Sequence, residues 1–131
     1  MSYQILISYA SKDRDLAQDL ERRLIEVSVG VFLDERSARS GMTWTDQIER
    51  AIRESDEFIV LITDNSIHNA GIIFELGVAF SLRKRVTPII VGVEPTEIRP
   101  MLKHLRSIIY SEVEDYISEL AKRANTATTA S

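Results

Sequence analysis

Along this chain, short unbroken apolar runs alternate with longer stretches that are apolar on one helical face only. The runs are Gln4–Tyr9, Val29–Leu33, Phe58–Ile62 and Val86–Val93, the last interrupted by Pro88, with a weaker fifth at Ile108-Ile109-Tyr110. None alternates polar with apolar, the pattern of strands buried on both faces of a parallel sheet. The first intervening helix places Leu16, Leu20 and Leu24 on one face, flanked by Ala17 and Val27, with Ser11 or Asp13 as its cap. The next buries Ile48, Ala51 and Ile52 and is capped by Thr43 or Thr45. A third, Ile72–Leu82, carries small residues at Gly77 and Ala79 for close packing, and Val113–Ala124 closes the chain with Tyr116, Ile117 and Leu120 inward. Polar loops cover Asp34–Met42 and Thr63–Gly71, the latter offering Asn65, Ser66, His68 and Asn69 for turns and caps. Residues 1–124 read as one domain and Asn125–Ser131, without an apolar anchor, as a flexible tail or linker.

Strands alternating with helices predict an α/β fold, a parallel sheet covered on both faces. Right-handed crossovers put every strand's carboxyl end on one edge, where ligands of such folds sit. The loops on that edge are Ala10–Lys12, Asp34–Met42 and Asp64–Gly71.

Composition narrows the chemistry. With no cysteine, disulfides, thiolate zinc sites and thiol nucleophiles are excluded. The two histidines, His68 and His104, have no metal-ligand spacing, so no metal is expected. A net charge of −4 gives no drive toward nucleic acid or an anionic membrane. The basic run Arg83-Lys84-Arg85 is read as a solvated helix terminus complementing the dipole. No apolar stretch is long enough to span a membrane and Met1–Gln4 lacks the features of a signal peptide, which suits a cytoplasmic protein. After the first strand comes Tyr9-Ala10-Ser11-Lys12 rather than a glycine-rich turn, which disfavours a hydride-transferring dinucleotide enzyme.

Three segments, in order, resemble the TIR (Toll/interleukin receptor) family, in particular its bacterial, NAD-consuming members. Ile5-Leu6-Ile7-Ser8-Tyr9 with Asp13 is similar to the family's opening box. Val31-Phe32-Leu33-Asp34, then Gly41-Met42-Thr43-Trp44, Ile48, Ala51-Ile52 and Ser55, resemble its second strand, BB loop and following helix. Phe58–Thr63 leading through Ser66 to Glu75 is similar to its third strand and the helix that bears its glutamate. One departure is Gly71, which stands where many members have an aromatic residue four positions before the glutamate. Gly71–Phe80 followed by Pro88 also resembles nucleoside 2-deoxyribosyltransferases.

The resemblance implies a flavodoxin-like three-layer sandwich with five parallel strands in the order 2-1-3-4-5. It also implies cleavage of the nicotinamide–ribose bond, with NAD as substrate, no cofactor, and activation by self-association in defence or signalling. Glu75 takes the catalytic position. The apolar neighbours Ile72, Ile73, Phe74, Leu76, Val78 and Phe80 favour a Glu75 that faces a cleft or a partner, since a lone charge there is otherwise costly. The substrate-binding set is Tyr9, Ala10, Ser11, Asp34, Arg39, Thr43, Trp44 and Gly71. Several have a plainer reading: Ser11 as a helix cap, Tyr9 and Trp44 as core, Asp34 as the start of a turn, Arg39 as an exposed arginine. Other TIR domains are the implied protein partners, through loop 34–42. The alternatives are a non-catalytic TIR–TIR scaffold and a deoxyribosyltransferase-like enzyme.

Overall fold

The computed structural model describes residues 3–35, 45–94, 102 and 105–130, with the side chains of 35, 45–47 and 127–130 left aside. In chain order the elements are β1 (Gln4–Tyr9), α1 (Arg14–Glu26), β2 (Gly30–Glu35), α2 (Thr45–Glu54), β3 (Glu57–Ile62), α3 (Ala70–Ser81), β4 (Arg85–Ile90), β5 (Ile108–Ile109) and α4 (Val113–Ala130). The sheet runs β2-β1-β3-β4-β5 with every pairing parallel, a flavodoxin-like α/β sandwich. This is the expected order.

Side chains alternate across the sheet and split the core in two. Ile5, Ile7, Tyr9, Ile59, Leu61 and Ile89 face α1 and α4, meeting Leu20, Leu24, Ile117 and Leu120. Leu6, Phe58, Val60 and Ile62 face α2 and α3, meeting Ile48, Ile52, Ile72 and Leu76. Burying each such leucine or isoleucine contributes about 1.5–3 kcal/mol, so both layers are held chiefly by apolar burial.

Strand lengths follow the partner strand rather than the apolar run. β2 continues past Leu33 because Asp34 and Glu35 pair with Ser8 and Tyr9 of β1. β4 stops at Ile90, opposite the last residue of β3. Pro88 is tolerated in an inner strand because β5 pairs only with Ile89 and Ile90. α3 begins earlier than expected, at Ala70, since the Asn69 side chain accepts a hydrogen bond from the Ile72 amide at 3.0 Å. It ends where Arg83 takes the left-handed conformation, φ 57°, with the Lys84 amide reaching back to the Ala79 carbonyl. α4 runs to Ala130, so residues 125–130 are helical where a tail was expected.

Ala79 packs into the core as expected, but Gly77 does not: it is exposed on α3, and a Cβ there would meet nothing within 4 Å. An exposed mid-helix glycine costs about 0.5–1 kcal/mol relative to alanine. Gly77→Ala is therefore expected to raise unfolding stability by about that amount, read from the urea midpoint; a drop would mean the site is not open. Among the described residues no helix is long and apolar enough to cross a membrane.

Candidate active site at the carboxyl edge

Ser8 is the small hydroxyl that follows Ile5-Leu6-Ile7 in β1, and the strand's alternation turns it toward α2 and α3. There its Oγ donates to Glu75 Oε1 at 2.6 Å, and both residues are fully buried. Glu75 lies in the second turn of α3, between the core residues Ile72, Leu76 and Ala79, so the periodicity that buries the helix also drives this carboxylate inward. Asp34 of β2 is the register partner of Ser8 and is also fully buried. Paired residues of parallel strands share a face, so Asp34 lies on the α2/α3 side with Ser8. Among the described residues, neither Asp34 oxygen has a hydrogen-bond partner. Asp34 sits within β2 rather than at the start of the turn, because β2 is two residues longer than its apolar run.

A second set of hydrogen bonds laces the loops that leave this edge. Asp13 was a candidate cap for α1, but its side chain caps nothing. It accepts instead from Thr63 Oγ1 at 2.6 Å and Asn65 Nδ2 at 2.8 Å, tying the turn after β1 to the loop after β3. Ser66 closes that loop on itself, accepting from the Thr63 amide at 2.9 Å and donating to the Leu61 carbonyl at 2.6 Å. The backbone leading into α3, and so the position of Glu75, is held from both sides.

Of the residues singled out in the sequence, Glu75, Asp34 and Gly71 lie on the α2/α3 face or at the start of α3, and Ala10 is buried directly after β1. Tyr9 turns to the opposite face and packs with α1 and α4, the core alternative of its two readings. Ser11 opens a short 3-10 turn, partly exposed. Arg39, Thr43 and Trp44, with loop positions 36–42, lie outside the described residues. Ser8 is the participant that sequence reasoning passed over, and its signal was there: a polar side chain inside a fully buried strand. His68 is exposed, and no group of metal-ligating side chains occurs among the described residues.

The opposite edge of the sheet holds a polar cluster whose groups are committed to one another. Glu57, fully buried at the start of β3, accepts from Arg123 Nε at 3.0 Å and Nη2 at 2.8 Å, and from Tyr3 at 2.8 Å. Arg106 forks onto Glu119, and Lys84 donates to the carbonyls of Arg53 and Ser55, both at 2.8 Å. Lys84 thus neutralises the carboxyl end of α2 rather than that of its own helix. A cleft of about 300 Å³ opens beside these groups, but three of its cations are occupied.

Burial, then the hydrogen bond to Glu57, pushes the Tyr3 hydroxyl from 10.0 up to about 12. Burial, then the bond to Asp19, does the same for Tyr110, and burial raises Tyr116 further. The folded chain therefore keeps phenolic protons that the unfolded chain releases. This contribution to stability is intact below pH 10, and is lost as pH rises from there through about 12. Urea midpoints should fall across that window, less steeply in Tyr3→Phe; a flat profile would contradict the coupling.

A model of the TIR domain family matches residues 5–123. No curated protein matches. Among solved structures, the TIR domain of the Toll-related receptor TRR-2 from Hydra magnipapillata is 21% identical, covering 99% of this chain and 100% of that one, with a TM-score of 0.69. The TIR domains of the activated Roq1 resistosome recognising the effector XopQ are 23% identical over 72% of this chain, with a TM-score of 0.60. The present chain spans only 61% of that one. BcmB, a CMP N-glycosidase from Clostridium botulinum, is 21% identical over 88% of this chain and 97% of its own, with a TM-score of 0.61. At such identities these likenesses speak to the fold. The family match runs from β1 into α4 and takes in Ser8, Asp34 and Glu75, and by it the chain belongs to the TIR domain family.

Proposed function

We propose that this TIR domain cleaves the bond between nicotinamide and ribose in NAD, with Glu75 as the catalytic carboxylate. The observation that carries the reading is the burial of Glu75 beside Ser8 on the α2/α3 face, in a helix with every reason to exclude a charge. The reaction asks for little more. Nicotinamide in NAD is a cationic pyridinium, so when the C–N bond breaks the electron pair leaves with the ring nitrogen and nicotinamide departs neutral, with no proton needed. The ribosyl centre left behind has oxocarbenium character, and a nearby carboxylate stabilises that charge or holds the ribose hydroxyls. Water adding to the anomeric carbon and losing a proton gives ADP-ribose; attack by a nitrogen of the same molecule's adenine gives a cyclic isomer. Ser8, by its bond to Oε1, fixes the carboxylate's direction.

Both acids are wholly buried, so sugar reaches them only after the shell around them yields. Association with other TIR domains through loop 34–42 is the event proposed to supply that opening, with the closed form dominant in the lone chain. A cytoplasmic setting in bacterial defence or signalling suits such a device. One observation favours a second reading, that of a TIR–TIR scaffold: Phe74 and Phe32 are 53% and 47% exposed, large apolar surfaces next to the site.

The test is to incubate concentrated, crowded protein with NAD, and separately with a deoxynucleoside and a free base. Nicotinamide release that vanishes in Glu75→Gln supports the proposal. Base exchange would replace it with deoxyribosyl transfer, and silence under crowding would favour the scaffold.

A further inference from the structure

Resting on the NAD-cleaving reading, we infer that Asp34 is the residue by which this site selects a cationic leaving base over a neutral one. Asp34 is 0% exposed and, among the described residues, both of its carboxylate oxygens lack a hydrogen-bond partner. Buried carboxylates are ordinarily paired or hydrogen-bonded, and one that is neither is costly to keep. The arginines that form ion pairs do so elsewhere: Arg22 and Arg23 with Asp19, Arg53 with Glu49, Arg106 with Glu119 and Arg123 with Glu57. Among the described residues, then, no cation answers Asp34.

Its position says what kind of group would. Asp34 stands opposite Ser8 in the sheet, one strand spacing away, and Ser8 binds Glu75. A ribose held at Glu75 carries its base on the anomeric carbon, so the base's charged nitrogen is one bond from the sugar. A carboxylate about 5 Å across the sheet from Ser8 is within close electrostatic range of that ring. Sugar hydroxyls would satisfy hydrogen bonds but leave the charge unanswered, whereas a pyridinium answers it.

Cleavage moves positive charge off the ring onto the ribosyl centre. An acid beside the ring therefore favours the bound substrate at least as much as the transition state, and sets affinity rather than turnover. This separates Asp34 from Glu75 in role. It also gives the two acids different signatures.

The experiment compares binding of carbocyclic NAD, which keeps the pyridinium but resists cleavage, with NADH, whose ring is neutral, by calorimetry at high protein concentration. The wild-type protein is expected to prefer the cationic ligand by about tenfold or more. Asp34→Asn, verified as folded by circular dichroism, should bring the ratio to about one with NADH affinity unchanged, and in turnover raise KM about tenfold with little change in kcat. A preference that persists in Asp34→Asn, or is absent from the wild type while both ligands bind, overturns the inference and leaves the NAD-cleaving reading standing. If neither ligand binds, both readings are overturned. If Mg²⁺ alone binds, erases the preference, and loses its own affinity in Asp34→Asn, the carboxylate answers an inorganic cation and the inference falls.

Discussion

Replacing Glu75 with glutamine is expected to lower nicotinamide release by about a hundred- to a thousandfold, the scale seen when one preorganised electrostatic partner of a transition state is removed. The domain should stay folded. The amide keeps the shape of the side chain and its carbonyl can still accept from Ser8, whose donor bond of 2.6 Å is the contact shown for Oε1. What is lost is the negative charge, in a place where water cannot substitute for it because both partners are wholly buried. Ser8→Ala separates charge from orientation: it leaves the carboxylate but frees its direction, and a smaller loss in kcat is expected than for Glu75→Gln. An unchanged release rate in Glu75→Gln, under conditions where the wild type is active, would remove Glu75 from the chemistry.

The largest effect on stability is expected far from the site. Arg123→Met leaves Glu57 buried with, among the described residues, only tyrosine hydroxyls to meet it: Tyr3 at 2.8 Å and Tyr116 at 3.4 Å, the latter too long to count for much. Removing one partner of a buried pair costs about 3–5 kcal/mol, and the lower end applies here because Arg123 is itself 27% exposed. Set against the roughly 5–15 kcal/mol that holds an ordinary domain together, this is a large fraction. The double variant Glu57→Leu with Arg123→Met should recover most of the loss, since an apolar pair avoids desolvating a charge. Urea unfolding of the single and double variants checks both statements. A double variant no better than Arg123→Met would show that the pair is not the source of the effect.

The sheet was legible because its strands are apolar on both faces, which leaves few other places for Ile5-Leu6-Ile7 or Phe58–Ile62 to go. Helix faces followed from period alone: Leu20 and Leu24, Ile48 and Ile52, Ile117 and Leu120 are all where spacing puts them. Strand ends were less legible, because a strand's length is a property of the pair. Asp34 looked like a turn residue until Ser8 and Tyr9 were seen to extend the ladder past Leu33. Partners distant in sequence were not legible at all. Nothing local announces that Asp13 serves Thr63 and Asn65, that Lys84 serves α2, or that Glu57 and Arg123 meet across 66 positions. Glu75 was reached through its resemblance to the TIR family's glutamate position, with its apolar neighbours in support; Ser8, polar within a buried strand, carried a similar local signal.

The strand order has a consequence for how the chain is made. β1 emerges from the ribosome before the other strands yet ends between β2 and β3, so one of its two flanks stays bare until residue 62 or so has been synthesised, and the layer over Leu6 and Ser8 is completed only when α3 follows. A nascent chain halted in between would display an unpaired, greasy ribbon, the kind of surface that chaperones hold and aggregates recruit. Codon changes that slow translation between α2 and α3 should therefore lower soluble yield more than the same changes placed within α4.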